Sequence, residues 1–179
     1  MSLKNNTLSL VRGPNGPKIY VETGSLAGDS IAAAIKAGFS TIHSIELSDL
    51  FYKRCVNRFK NNPNVHLHHG YSEKKLPKII SKITQQAVIF LDSHWSDGNT
   101  AKGENPVPLL LELDGLAKAP IKNHIIMIDD VRLFGTDDLN IWQEITLNKV
   151  LELLRKINKN YKFSYVDGYQ PKDILVARI

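Results

Sequence analysis

Two short apolar runs end in carboxylates: Val88-Ile89-Phe90-Leu91 leads into Asp92, and Ile125-Ile126-Met127-Ile128 leads into the pair Asp129-Asp130. Acidic groups gathered at one edge repel one another unless a cation or a donor neutralises them. Ligation of a hard ion such as Mg²⁺ by Asp92, Asp129 and Asp130 is therefore the chemistry this trio suggests. The plainer alternative is that Asp129 or Asp130 caps a following helix or pairs with Arg132. Beyond Asp92, His94 and Lys102 are side chains able to take a proton from a substrate. Their plainer roles are a structural loop residue and a solvated lysine.

A second set of residues suits a ligand. The run Glu22-Thr23-Gly24-Ser25-Leu26-Ala27-Gly28-Asp29-Ser30 places glycines at Gly24 and Gly28. Glycines there let backbone approach a bound molecule and let a helix start tight against a strand, with free N–H donors at its N-terminus. The spacing is not G-x-G-x-x-G, and Asp29 beside the helix start would repel a pyrophosphate, so a ligand without phosphates is favoured. Glu46 closes the next apolar run, close to the roughly 20-residue spacing at which an acid hydrogen-bonds ribose hydroxyls. An ordinary exposed glutamate is the alternative. Gly70-Tyr71-Ser72 closes a third run. There Tyr71 can lie against an adenine ring, and Ser72 can cap the next helix or bond the base.

Apart from His94 and Lys102 on the loop beyond Asp92, these residues share one kind of position, at or just after the end of a short apolar run, and helical patterns separate the runs. Strands are predicted over 18–22, 41–46, 65–69, 87–92, 124–129, 162–166 and 173–178. Helices are predicted over 29–37, 49–60, from about 72 with Pro77 near its first turn, over 107–116, and over 139–157. Asp29 is expected to cap the first of these and Gly38 to end it. Alternating strands and helices make an α/β fold, a doubly wound, mostly parallel sheet of about seven strands. The last two strands lack a helix between them, so a hairpin through Asp167-Gly168-Tyr169-Gln170-Pro171 places an antiparallel strand in that sheet. Residues 93–106 form the one long irregular segment, with Gly98 and Gly103, and are expected to cover a substrate as a lid.

With 179 residues and 42% hydrophobic content, the chain can bury one sizeable core and is too short for two ordinary domains. The division expected is an N-terminal arm over 1–17, rich in turn residues, and one domain over 18–179. No apolar run approaches the roughly 18 residues of a membrane span, and a cytoplasmic protein is expected. The single cysteine, Cys55, excludes an internal disulfide and reads as a packed helix position. The formal charge of +5 comes from scattered residues such as Lys74, Lys75, Lys78 and Lys82. That is the pattern of a solvated helix face, and it argues against a nucleic-acid partner.

Taken in order, Glu22-Thr23-Gly24 to Gly28-Asp29-Ser30, Ile45-Glu46, Gly70-Tyr71-Ser72 with Leu76-Pro77, and Phe90-Leu91-Asp92 with His94-Trp95 resemble the class I S-adenosylmethionine-dependent methyltransferases. The branch most similar is the metal-dependent, catechol O-methyltransferase-like one, and the likeness spans residues 18–130. It implies a Rossmann-like fold with S-adenosylmethionine as cofactor. Glu22, Gly24, Gly28 and Ser30 would surround the methionine portion, Glu46 the ribose, and Gly70, Tyr71 and Ser72 the adenine, with Ser25 also among the cofactor-binding residues. Asp92 would face the sulfonium and join Asp129 and Asp130 around Mg²⁺, Asp130 standing where the branch commonly has asparagine. The lysine base of that branch is absent: Ser96 follows Trp95, and Ser93 intervenes between Asp92 and His94.

The function expected from these residues is methyl transfer to a small-molecule acceptor, most simply an O-methylation, with Mg²⁺ assistance and with Asp92, His94 and Lys102 as catalytic candidates. Two other classes stay open: a catalytically silent module that binds S-adenosylmethionine or S-adenosylhomocysteine, and a nucleic-acid methyltransferase. The glycine spacing and Asp29 disfavour a nicotinamide dehydrogenase. No sequence feature sets the oligomeric state, and a homodimer is compatible with it.

Overall fold

The structure, a computed structural model, describes Leu3 and residues 6–179. Seven strands form one sheet: β1 (Ile19–Thr23), β2 (Thr41–Glu46), β3 (Val65–His69), β4 (Ala87–Leu91), β5 (Ile125–Ile128), β6 (Lys162–Val166) and β7 (Ile174–Arg178). Their order is β3-β2-β1-β4-β5-β7-β6. β7 runs antiparallel to both neighbours, and the other pairings are parallel. The expected doubly wound sheet and its terminal hairpin are both present. Every residue of β1, β4 and β5 is buried, which is why β4 and β5 read as unbroken apolar runs, while β1 buries Glu22 and Thr23 beyond its apolar start.

Among the described residues six α-helices flank the sheet: α1 (Thr7–Arg12), α2 (Asp29–Lys36), α3 (Asp49–Arg58), α4 (Ser72–Ile80), α5 (Leu109–Lys118) and α6 (Leu147–Ile157). Two apolar cores result. One packs Leu76, Ile80, Leu113 and Leu154 against Val21 and Ile89. The other packs Ile31, Ala34 and Phe59 against Tyr20 and Val88. Leu8 and Val11 of α1, within the expected N-terminal arm, are buried in this second core. Among the described residues no helix is long and apolar enough to cross a membrane.

Three local expectations are corrected. The helix expected over 139–157 begins only at Leu147, where the Thr146 side chain accepts from Lys149 N at 3.3 Å. Leu139 and Asn140 ahead of it take left-handed backbone, φ 48° and 54°, which ends any helical run. Their apolar neighbours are nevertheless buried, since Trp142 and Ile145 anchor the irregular segment to the first core. Asp29 does not cap α2, whose N-cap is Gly28; its carboxylate pairs instead with Arg58 at 2.7 Å. Ser72 does not cap α4 either, being its first residue, with Tyr71 at the cap position.

His124, just before β5, is 1% exposed, and its Nδ1 accepts from Ala87 N at 3.0 Å. Burial lowers its pKa from 6.5 to about 4. A folded-state pKa below the unfolded one means stability that is whole above pH 6.5 and is lost as pH falls toward 4. Glu22, raised by burial to about 7, titrates with the opposite sign, so the test is a difference. Between pH 6.5 and 4 the chain should lose on the order of 2–3 kcal/mol more unfolding free energy than His124→Asn, measured by urea titration.

Candidate active site

The strand order reverses between β1 and β4, and the residues that follow these two strands meet there, as expected for a ligand site at a topological switch point. Gly24 N donates to Ile45 O at 2.9 Å, and Asp92 N donates to Thr23 O at 3.2 Å. The turn is so tight that a Cβ on Gly24, whose φ is +84°, would lie 2.2 Å from the Asp92 carbonyl oxygen. A cavity opens above it, about 760 Å³ when its mouth open to solvent is included, lined by Gly24, Glu46, Gly70, Tyr71, Ser72, Asp92 and His94. Leu47, Phe51, Trp95 and Pro106 add apolar wall. A smaller pocket of about 360 Å³ on the far side of the turn shares Gly24 and Asp92 and adds Ser25 and Ser30.

Glu46 is 8% exposed and aims both oxygens at backbone donors: Leu26 N reaches Oε2 at 2.9 Å and Ser48 N reaches Oε1 at 2.7 Å. Each carboxylate oxygen accepts more than one hydrogen bond, so the same group can also receive two hydroxyls of a ligand. Glu22 is buried beneath the turn and is not among the residues lining either pocket. Its Oε1 accepts from Ser44 Oγ at 2.6 Å and its Oε2 from Tyr20 Oη at 2.9 Å. Ser25 Oγ in turn meets Ser44 Oγ at 2.5 Å. Burial lifts the Glu22 carboxyl to about 7 against hydrogen bonds from Ser44, Ser30 and Tyr20. This network fixes the turn from below. Gly28 is likewise demanded by packing, since a Cβ there would meet the Phe59 ring at 2.6 Å.

Residues 93–106 cover the cavity, and Trp95 N donates to Pro106 O at 2.8 Å to close the loop at its base. Lys102 is exposed, with Nζ 4.0 Å from the centroid of Trp95, and does not line the cavity. The base of the loop is held from within the core. Ser93 Oγ donates to Glu112 Oε1 at 2.6 Å and lies 2.9 Å from Ser72 Oγ. Glu112 is 1% exposed, and burial raises its pKa against hydrogen bonds from Ser72, Ser93 and Thr23. Sequence reasoning passed over Glu112, although periodicity marks it: it shares the buried face of α5 with Leu109, Leu113 and Leu116.

At the ends of β4 and β5 the expected carboxylate trio is divided. Ligating atoms lie within 4.8 Å of one another in two overlapping groups, Asp92–His94–Asp130 and Asp129–Asp130–Asp173. Asp130, with φ 60°, directs Oδ1 to Arg132 Nη1 at 2.5 Å and Oδ2 toward His94 Nδ1 at 2.9 Å. The Oδ2 contact is close but not in line for a hydrogen bond, so that buried oxygen has no aligned partner. His94 also sits edge-on to Trp142, centroids 5.2 Å apart, a neighbour the sequence does not single out.

Burial pushes Asp92 well above the ordinary carboxylate range, and Asp129 and Asp130 add to the shift. Burial also pushes Asp130 upward, but His94 and Arg132 outweigh it and hold Asp130 below that range. Two neighbouring carboxyls are thereby driven toward different protonation states. The donor set does not fit Mg²⁺: one group contains an imidazole, a poor ligand for this ion, and the other already contains the Arg132 guanidinium.

No protein-family model matches the chain, and no curated protein matches it in sequence. Solved structures do match in fold. An O-methyltransferase from Bacillus cereus in complex with S-adenosylhomocysteine aligns with TM-score 0.58 and 14% identity, over 96% of this chain and 77% of that one. The methyltransferase domain of bacterial CtHen1-C gives 0.61 and 15%, over 97% and 95%. Spermidine synthase from Thermotoga maritima gives 0.61 and 12%, over 95% and 56%. At such identities the likeness establishes a Rossmann-like fold, and it leaves the chemistry to be argued from the site.

Proposed function

We propose that the protein is an S-adenosylmethionine-dependent methyltransferase acting on a small-molecule hydroxyl. The observation that carries this is the cavity at the β1–β4 switch point, walled by Gly24, Glu46, Tyr71 and Asp92. Glu46 supplies a fixed acceptor for a ribose diol. Tyr71 supplies a flat face for adenine, and Gly70 and Ser72 line the same wall. Ser25 and Ser30, across the Gly24 turn, suit the methionine portion. Glu22 and Gly28 act from beneath by holding the turn. The lid over 93–106, with Trp95 and Pro106 turned to the cavity as apolar wall, excludes water from the reacting atoms.

When bound, S-adenosylmethionine supplies an electrophilic methyl group on a sulfonium. The chain's task is to align the acceptor oxygen and remove its proton. His94 is the base: with Nδ1–H turned to Asp130, Nε2 keeps a lone pair for the proton leaving the hydroxyl. Nε2 takes the proton that leaves the acceptor hydroxyl, while the bound cofactor would supply the methyl group to that oxygen and depart as S-adenosylhomocysteine. Asp92 borders this position at the cavity floor. Lys102, exposed and held over Trp95, is not given a role in the step. Mg²⁺ is likewise left out, on the donor set described above, and turnover should be undiminished in EDTA.

Calorimetry with S-adenosylhomocysteine tests the cofactor reading. The protein should bind it, NAD should not compete, and Glu46→Gln should weaken it about 10–100-fold, the worth of one or two hydrogen bonds to a charged acceptor. Absence of binding by the unaltered protein would overturn the reading. Release of S-adenosylhomocysteine across a panel of phenols, alcohols and sugars then separates an enzyme from a silent binding module.

A further inference from the structure

The acidic corner beyond β4 and β5 contains Asp92, Asp129, Asp130 and Asp173, of which the last three are 4%, 4% and 1% exposed. Buried carboxylates at such spacing require a positive partner. We infer that Arg132 is the resident cation of this corner: its guanidinium joins Asp130 to Asp173 in the place expected for a divalent ion, and through Asp130 it positions His94.

The contacts are specific. Arg132 Nη1 lies 2.5 Å from Asp130 Oδ1 and also donates to Asp173 Oδ2. Arg132 N donates to the other Asp173 oxygen at 3.1 Å. The guanidinium stacks over Tyr169, 4.9 Å from its centroid, and Val131 N donates to the Asp173 carbonyl at 3.0 Å. Asp130, in left-handed backbone, is thereby tied at Oδ1. Its Oδ2 is left facing His94 Nδ1, with no other aligned donor to turn it away. A guanidinium suits this place because its planar fork can hold two carboxylates at once. One such charge is shared by two buried acids without a coordination shell, offsetting one of their two negative charges.

The inference about the cation stands without any methyl transfer, and the positioning of His94 deepens the proposed function by fixing the base for that step. Both halves can be read without a substrate. MnCl₂ is titrated into the full chain, and the electron paramagnetic signal of free Mn²⁺ is followed. The unaltered protein should show no saturable site. Arg132→Ala, which uncovers Asp130 and Asp173, should take up one ion about tenfold or more tightly than the unaltered chain and be thermally stabilised by it. Arg132→Lys, which keeps the charge, should take up none. Should Arg132→Ala not fold, Arg132→Gln, which keeps the stem over Tyr169, replaces it in the same titration. A saturable site in the unaltered protein that Asp130→Asn removes would overturn the inference. So would an Arg132→Ala or Arg132→Gln chain that binds Mn²⁺ no better than the unaltered one.

For the positioning half, ¹⁵N spectra of labelled histidines report the His94 tautomer. The unaltered chain should carry its proton on Nδ1, Arg132→Ala should lose that bias, and Arg132→Lys should restore it. A tautomer unmoved by Arg132→Ala would show that Arg132 does not act on His94. Neither readout depends on S-adenosylhomocysteine binding, so failure here and failure of the proposed function are distinguishable.

Discussion

Asp130→Asn is expected to lower kcat by about 10²–10⁴-fold while leaving S-adenosylhomocysteine affinity within about threefold. The substitution changes almost no volume, and its carbonyl oxygen can keep the contact that Oδ1 makes with Arg132 Nη1. What changes is the group 2.9 Å from His94 Nδ1, which becomes an N–H donor in place of an acceptor. His94 must then present a lone pair at Nδ1 and carry its proton on Nε2, the wrong tautomer for a base facing the cavity. His94→Ala should show a loss of the same order. The double variant should be no worse than His94→Ala, because both changes remove one function. The measurement is S-adenosylhomocysteine release with any acceptor that gives turnover, paired with calorimetry. An Asp130→Asn chain with unaltered kcat would remove His94 from the mechanism, and a loss confined to KM would assign the pair to acceptor binding.

Much of the fold was legible in the sequence because a parallel sheet buried on both faces writes itself as continuous apolar runs. β2, β3 and β6 begin and end where the alternation of residue types places them, at 41–46, 65–69 and 162–166. The run before Leu147 misled because its apolar spacing, through Ile141 and Ile145, matches a helix. Burial in an irregular segment demands the same residue types, and only the left-handed backbone at Leu139 and Asn140 tells the two apart. The candidate site was legible where one residue acts alone. Glu46 and Tyr71 stand at strand ends, the place where an open sheet collects ligands. It was illegible where function belongs to a pair. Asp130 was foreseen as a metal ligand, with pairing to Arg132 as the alternative, and the structure shows that pair; Asp173, the second acid on the same guanidinium, reaches it only through the β5–β7 pairing.

The glycines show the same limit from another side, since a sequence shows that a glycine is present without showing what it must approach. Gly24→Ala should cost about 2–5 kcal/mol of unfolding free energy and reduce S-adenosylhomocysteine affinity by more than about 100-fold. Part of the cost is conformational, because an L side chain at φ +84° is strained. The remainder is steric: the new Cβ would stand 2.2 Å from the Asp92 carbonyl oxygen, a backbone atom that cannot move without displacing β4. Gly13 separates the two contributions, having φ +74° and nothing within 4 Å of the place a Cβ would take. Gly13→Ala, at φ 74° and ψ 169°, should therefore carry only the strain, about 1–3 kcal/mol, and leave the ligand affinity unchanged. Urea titration of both variants, with calorimetry, isolates the crossing of the turn over Asp92 as the difference. Equal losses in the two variants would mean that β1 and β4 do not meet as closely as this geometry requires. In that event the floor on which Glu46 and Asp92 are arrayed would be a different one.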